Sequence, residues 1–433
     1  MNPTRSTAVL FLSLSLVLCH PAVADEVRLL HTAREAAEER VRLVLAAHEE
    51  INAEYFIFGG DPFSLTALSL LRDAARRGIT VRLIVDAQWN KIPRPVQAHL
   101  IEEGVQIRVY HPLRLCKPRW ITRRLHDKLL VVDGKTMVGG GRNIESPYFD
   151  LGRQVERRNY IDLDILVRGE SAARAREYFM TLWESREVRP GKSSVSPRKL
   201  EKAERLLDRQ EAWLNERIEM VRGTPAAAPR PLDEVGTVEF LHDPVGRKGR
   251  APGVGEALFA LMDSAETSVV IESPYLVPSR AFKKVLARVL ARGVHVRILT
   301  NSLATTDNLF PQAGYAGKKK KLVRSGVELW EYTGPECLHG KAAVIDGRIS
   351  IVGSFNLDPR SEHLNTELAI VLRDPGQTAE LLRVMDAHLE RSVRIDRKGR
   401  PEGADRRYPG VSRCKVCKLR LLRLIAPFIK RQL

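Results

Sequence analysis

Two segments of the sequence carry the same reactive residues in the same order. HDKLLVVDGKTMVGGGRN runs from His126 to Asn143, and HGKAAVIDGRISIVGSFN from His339 to Asn356, a constant 213 residues further on. Within each, a histidine and a lysine stand two apart, so on a strand they share a face. His126 and Lys128 should therefore present an imidazole beside an ammonium, and so should His339 and Lys341. Asp133-Gly134 and Asp346-Gly347 have the form of hairpin turns, and Asp133 and Asp346 complete each candidate catalytic set. Asn143 and Asn356 end the return strands. A carboxylate recurs further on, as Asp162 in IDLDILV and Glu367 in TELAIVL, each expected at the start of an apolar strand.

Brought together by a pseudo-two-fold axis, these residues suit a phosphodiester. One imidazole can attack phosphorus to give a phosphohistidine. The other can protonate the leaving oxygen and then activate an incoming alcohol or water. Lys128, Lys341, Asn143 and Asn356 would offset charge on the non-bridging oxygens. Asp162 and Glu367 could each hydrogen-bond the far nitrogen of a histidine and fix its tautomer. The cations are built in, so this chemistry calls for no metal and no cofactor. A single His-x-Lys is ordinarily a solvated strand edge; the whole pattern repeated at one offset is not. GGGRN at 139–143 lacks the G-x-G-x-x-G spacing of a dinucleotide fingerprint.

The duplication extends to the elements that must position these groups. The first copy has an apolar strand over Ala53–Gly60, a helix over Leu65–Arg77, Gly78, and a strand over Thr80–Asp86. The second repeats this as Ser268–Ser273, Arg280–Arg292, Gly293 and His295–Thr300, and each copy adds a short strand, Val105–Tyr110 or Val327–Tyr332. Continuous apolar strands alternating with amphipathic helices imply mixed β-sheets covered by helices. The connecting stretch 186–233 has helical spacing over Glu201–Met220 and ends in TPAAAPRP, which has the composition of an exposed linker.

The paired HxKxxxxD motifs resemble those of the phospholipase D superfamily, and the closer resemblance is to its bacterial cardiolipin synthase branch. The stretches that carry it are HDKLLVVDG…GGGRNIESPYFD, YIDLDILVRG, SPYLVPSRA, ILTNSLATTDN…GYAGKKKKLVRSGVELWEY and HGKAAVIDG…GSFNLDPRSEHLNTELAIV, which span most of residues 50–390. The resemblance implies an α/β fold of two similar halves, 25–185 and 234–396, whose mixed sheets are flanked by helices and whose motifs meet in one active site. It implies His126 as nucleophile and His339 as acid/base, with the halves able to exchange these roles. It also implies transfer of a phosphatidyl group to an alcohol, such as the glycerol head group of a second phospholipid, or to water. A cleavable leader in place of the membrane-spanning helices of some synthases is a departure from that pattern.

Composition bounds the setting. The chain has 433 residues, 44% hydrophobic and 28% charged, which excludes a largely disordered, collagen-like or multi-span membrane protein. Arg5, the apolar run Ala8–Leu18 and the small residues Ala22 and Ala24 have the order of a secretory signal peptide over 1–24, the alternative being an uncleaved anchor or a buried strand, and cleavage would imply a periplasmic or secreted protein. Its removal would leave Cys116, Cys337, Cys414 and Cys417, with no pairing legible. The net charge of +17 points to an anionic partner. Residues 397–433 hold 12 Lys+Arg against 2 Asp+Glu, and Leu419, Leu422, Ala426, Ile429 and Leu433 fall on one helical face. A basic amphipathic helix over 411–433 would suit an anionic membrane surface. A phospholipid substrate is thus the first expectation. A nuclease of the same fold and a non-catalytic lipid-binding protein remain alternatives, and oligomeric state is not legible.

Overall fold

The computed structural model describes residues 24–112, 122–223, 230–236, 238–247, 253–403, 408 and 411–425. The expected leader (1–24) thus lies outside them apart from Ala24, as do Cys116 and most of TPAAAPRP.

Each half is built on one mixed sheet. Among the described residues the first sheet runs Val188–Pro190, Gln106–Tyr110, Thr80–Asp86, Glu50–Tyr55, Lys128–Val132, Thr136–Gly140, Asp164–Arg168, Asp25–Leu30, Asp233–Val235. The second runs Val238–His242, Leu368–Leu372, Ile349–Gly353, Ala342–Ile345, Ser268–Glu272, His295–Asn301, Glu328–Tyr332, Ser392–Arg394. The repeat extends to register. Ile51 opposes Val132 where Val269 opposes Ile345, and Thr80–Asp86 and His295–Asn301 each lie parallel to the preceding apolar strand.

Local sequence explains the punctuation. Asp61 caps the helix Pro62–Arg76 by accepting from the Ser64 amide, and Pro62 suits the first turn. Ser279 caps Arg280–Ala291 in the same way. Gly78 and Gly293 follow those helices at φ +89° and +82°, a left-handed conformation that glycine adopts without steric cost.

The connecting stretch is helical, as its spacing implies, over Pro197–Gly223, and most of the TPAAAPRP segment read as an exposed linker lies outside the described residues. Val188–Pro190 and Asp233–Val235 are the two edges of the first sheet, and the long helix Pro197–Gly223 packs on the helices Pro62–Arg76 and Arg94–Glu102. Arg72, fully buried, reaches Asp208 on that helix at 2.6 Å. The stretch therefore belongs physically to the first half. The C-terminal expectation also changes. Leu419 and Leu422 of the helix Arg413–Ile425 pack on Val277 and Ala313, while Leu421 and Leu424 are 61% and 71% exposed. Ala426, Ile429 and Leu433 lie outside the described residues.

Pleating sends alternate residues to opposite layers. Leu130, Val132 and Val138 face the helices of the first half. Leu129, Val131, Met137 and Ile165 instead pack against Ala342, Val344, Val352, Leu368 and Ile370 of the second sheet, in one core shared by both halves. Ile370→Ala opens a cavity in that shared layer and should cost about 2–5 kcal/mol. Denaturant unfolding should still be one cooperative transition; two separated transitions would show that the halves fold independently.

Candidate active site

Two short parallel ladders join the halves. Arg124–Leu125 pairs with Asn365–Thr366, and Tyr160–Ile161 pairs with Cys337–Leu338. Each is two residues long and runs directly into a motif histidine. The His126 amide donates to the Thr366 carbonyl, and the His339 amide to that of Ile161. Equivalent strand ends in the two halves anchor these ladders. Asp86 accepts from the Leu125 amide, and Asn301 both accepts from the Leu338 amide and donates to its carbonyl.

The crossing decides which carboxylate meets which histidine. His126 Nδ1 lies 2.8 Å from Glu367 Oε2, and His339 Nδ1 lies 2.5 Å from Asp162 Oδ2. Each imidazole is thus bound to the carboxylate of the other half. With Nδ1–H donating to the carboxylate, Nε2 carries the free lone pair. Ser354 and Asn365 donate to Glu367 and hold it in turn. Asp162 and Glu367 sit just before the strands Asp164–Arg168 and Leu368–Leu372, not within them.

The rest of the expected set lies alongside, with two exceptions. Lys128 and Lys341 are buried, and each donates to the carbonyl of its own motif histidine. His126, His339, Asn143 and Asn356 all line one open cavity of about 990 Å³. Asn143 accepts from the Ile57 amide and donates to the Tyr148 hydroxyl.

Asp133 and Asp346 are the exceptions, and the expectation that they join the chemistry is corrected here. Each follows the far end of its hairpin strand. Asp133 accepts from the amides of His48, Glu49 and Glu50, and Asp346 from those of Glu266, Thr267 and Ser268. They tie the turn to the start of the neighbouring strand.

Burial dominates the electrostatics. It lowers His126 to about 4 against the opposing pull of Glu367, and lowers Lys128 to about 7 with help from Lys341. His339 and Lys341 are also lowered, chiefly by burial. Burial alone would raise Asp162, but Lys341 and His339 prevail and hold it at about 2. The resting site therefore favours neutral imidazoles between ionised carboxylates.

Several lining residues were not singled out from the sequence. Tyr148 and Tyr160 stack on each other, both edge-on to His339 at 5.2 and 5.3 Å, while Phe56 stands edge-on to His126 at 4.9 Å. Arg124, Lys91, Arg157 and Arg360 also line the cavity. Arg124 did carry a signal, since it extends the Arg124, His126, Lys128 alternation by one step.

Comparison with known proteins gives the family. The family described as cardiolipin synthase, PLD-like domain, matches residues 41–183 and 258–391. Cardiolipin synthase C of Escherichia coli is 31% identical over 86% of this chain and 87% of its own. The probable cardiolipin synthase YwiE of Bacillus subtilis is 25% identical over 88% of this chain and 68% of its own. The crystal structure of phosphatidylserine synthase from Haemophilus influenzae shares the fold, with a TM-score of 0.68, 16% identity and coverage of 94% and 95%. The chain belongs to the phospholipase D-like family of cardiolipin synthases, a family of phospholipase D-type phosphatidyltransferases.

The turn aspartates offer a direct check on the division between fold and site. Asp346→Ala removes a carboxylate that accepts three backbone amides, and charge-assisted bonds of this kind are worth about 1.5–3 kcal/mol. Thermal unfolding should show a loss of that order, with catalytic rate per folded molecule unchanged. A stable but inactive Asp346→Ala protein would return the residue to the chemistry.

Proposed function

We propose that this protein transfers a phosphatidyl group between phospholipids through a phosphohistidine, at a membrane surface. The observation that carries the reading is the pair of motif histidines in one cavity, each with Nδ1 held by a carboxylate of the opposite half. The named relatives support the substrate class.

In the first step one Nε2 attacks the phosphorus of the donor lipid, and the P–O bond to the head group breaks. The other imidazole, which takes up a proton as the anionic phosphodiester binds beside it, gives that proton to the departing oxygen. In the second step that imidazole takes the proton from an incoming hydroxyl. The new O–P bond forms as the P–N bond breaks, and the nucleophile is regenerated. Lys128 and Lys341 offset the charge on the non-bridging oxygens without having to reorganise. The first imidazole must be neutral to attack, and burial keeps it so.

The cavity rim and the C-terminal helix support work at a bilayer. Trp89 and Phe310 line the cavity and are 46% and 50% exposed. Arg413–Ile425 packs on the helix Leu309–Ala316 that bears Phe310, and it exposes Leu421 and Leu424 among Lys418, Arg420 and Arg423. No helix among the described residues is long and apolar enough to cross a membrane. The leader-like stretch 1–24 supports export, and a mature N-terminus at Asp25 would bear this out.

Purified protein with phosphatidylglycerol vesicles should give cardiolipin or phosphatidic acid, also in the presence of chelator. His126→Ala and His339→Ala should each reduce turnover by at least about a thousandfold. Cleavage of DNA with lipid left intact would sink the proposal, and vesicle binding without turnover would favour a lipid-binding role. kcat/KM should fall below about pH 4 as His126 gains a proton and its lone pair is lost. It should fall again above about pH 7 as Lys128 loses its charge. A flat profile from pH 4 to 9 would contradict this assignment.

Vesicle binding is a separate test. Full burial of two leucines is worth about 3 kcal/mol or more. Leu421→Glu with Leu424→Glu should therefore weaken sedimentation with anionic vesicles about a hundredfold; unchanged binding would remove the helix from the membrane contact.

A further inference from the structure

The duplicated groups account for one phosphate, but the cavity holds cations that the duplication does not explain. Arg124 stands two residues before His126, so strand spacing puts it about 7 Å along the chain from that residue. Its counterpart in the second motif, 213 residues on, is Cys337. Arg360 belongs to the second half, and its counterpart in the first is Pro147. Two arginines without a twin, one from each half, thus line the same cavity as the histidines.

Arg124 is built into the wall. It is 3% exposed and lies on the ladder that joins the halves, opposite Asn365. Its Nη1 is 3.6 Å from Asp86 Oδ1 and makes no hydrogen bond among the described residues. Asp86 is a weak counter-ion, because its oxygens already accept from the amides of Gln88, Trp89 and Leu125. Asp358, also on this wall, accepts from the Ser361 amide as a helix cap. Arg360 donates to the Thr122 carbonyl on the segment leading into Arg124. The Arg360 charge repels that of Arg124, and an anion bound between them would offset both.

We propose that Arg124 and Arg360 form a second phosphate subsite, which holds the phosphodiester of the acceptor lipid while its terminal hydroxyl reaches the phosphohistidine. The inference rests on the phosphatidyl-transfer reading and deepens it. In a phosphatidylglycerol acceptor, three carbons and two oxygens separate its own phosphorus from the phosphorus it attacks. That spacing is of the same order as the ~7 Å strand step between Arg124 and His126. The hydroxyl oxygen bonds to phosphorus, the P–N bond breaks, and the proton passes to the second imidazole. Guanidinium groups suit the ligand because they bind phosphate oxygens in a fixed fork. A simple alcohol or water has no anion to place there, so the subsite would favour transfer to lipid over hydrolysis.

The test uses the full chain, labelled phosphatidylglycerol vesicles as donor, and two soluble acceptors, glycerol and glycerol 3-phosphate. The wild type should favour glycerol 3-phosphate by about tenfold or more in kcat/KM. Arg124→Gln and, independently, the more accessible Arg360→Gln should abolish that preference, and Arg124→Lys should keep part of it. Equal losses toward both acceptors, or an unchanged preference, would overturn the subsite. If the wild type transfers to no alcohol, the functional reading fails and calorimetry with glycerol 3-phosphate decides the subsite by itself. Two molecules bound per wild-type chain and one per Arg124→Gln chain would support it; equal stoichiometry would overturn it. Inorganic phosphate bound as tightly as glycerol 3-phosphate would overturn the assignment to an acceptor.

Discussion

The contact between each imidazole and a carboxylate from the opposite half organises the rest of the molecule. It cannot form unless both halves are folded and the chain crosses between them twice. The two-residue ladders are too short to be stable alone. They persist because the sheets behind them share a core from Leu129 through Ile370. Packing thus sets the distance between the halves, the ladders convert it into register, and register brings His126 to Glu367 and His339 to Asp162.

The same arrangement makes an expensive site tolerable. Two lysines, two histidines and two carboxylates are almost wholly removed from water. Burial of ions is costly unless they are paired and hydrogen-bonded. Here the negative charges lie behind the imidazoles and the lysine ammoniums bond to the histidine carbonyls. The charges compensate one another without occupying the side of the imidazole that faces the cavity, which leaves that side free for an anionic substrate.

Much of this was legible in the sequence, for a specific reason. Duplicated residues announce themselves by their common offset, so the motifs, the paired carboxylates and most strands could be read directly. Thr80–Asp86 was found to the residue; the helix Pro62–Arg76 was expected three positions late at its start and one late at its end, and Arg280–Ala291 was off by one at its end alone. The crossing was not legible, because spacing along the chain does not say which half supplies the carboxylate. Asp133 and Asp346 misled because they share the motif's offset although their carboxylates serve backbone amides. The C-terminal helix misled through Leu419 and Leu422, whose apolar face meets protein rather than solvent. The linker composition likewise did not reveal that Val188–Pro190 and Asp233–Val235 close the edges of the first sheet.

Joining the halves in one chain has a consequence that the two-fold arrangement hides. An assembly of two identical halves would cross-pair its histidines and carboxylates just as well, but every mutation in it would appear on both sides. Such an assembly could never become one-sided. A fused chain escapes that rule: Arg124 and Cys337 occupy matching positions yet are different residues. Fusion preserves the symmetry where the reacting phosphorus needs it and releases it a few ångströms away. There, on the proposed acceptor subsite, two molecules entering one reaction would be told apart.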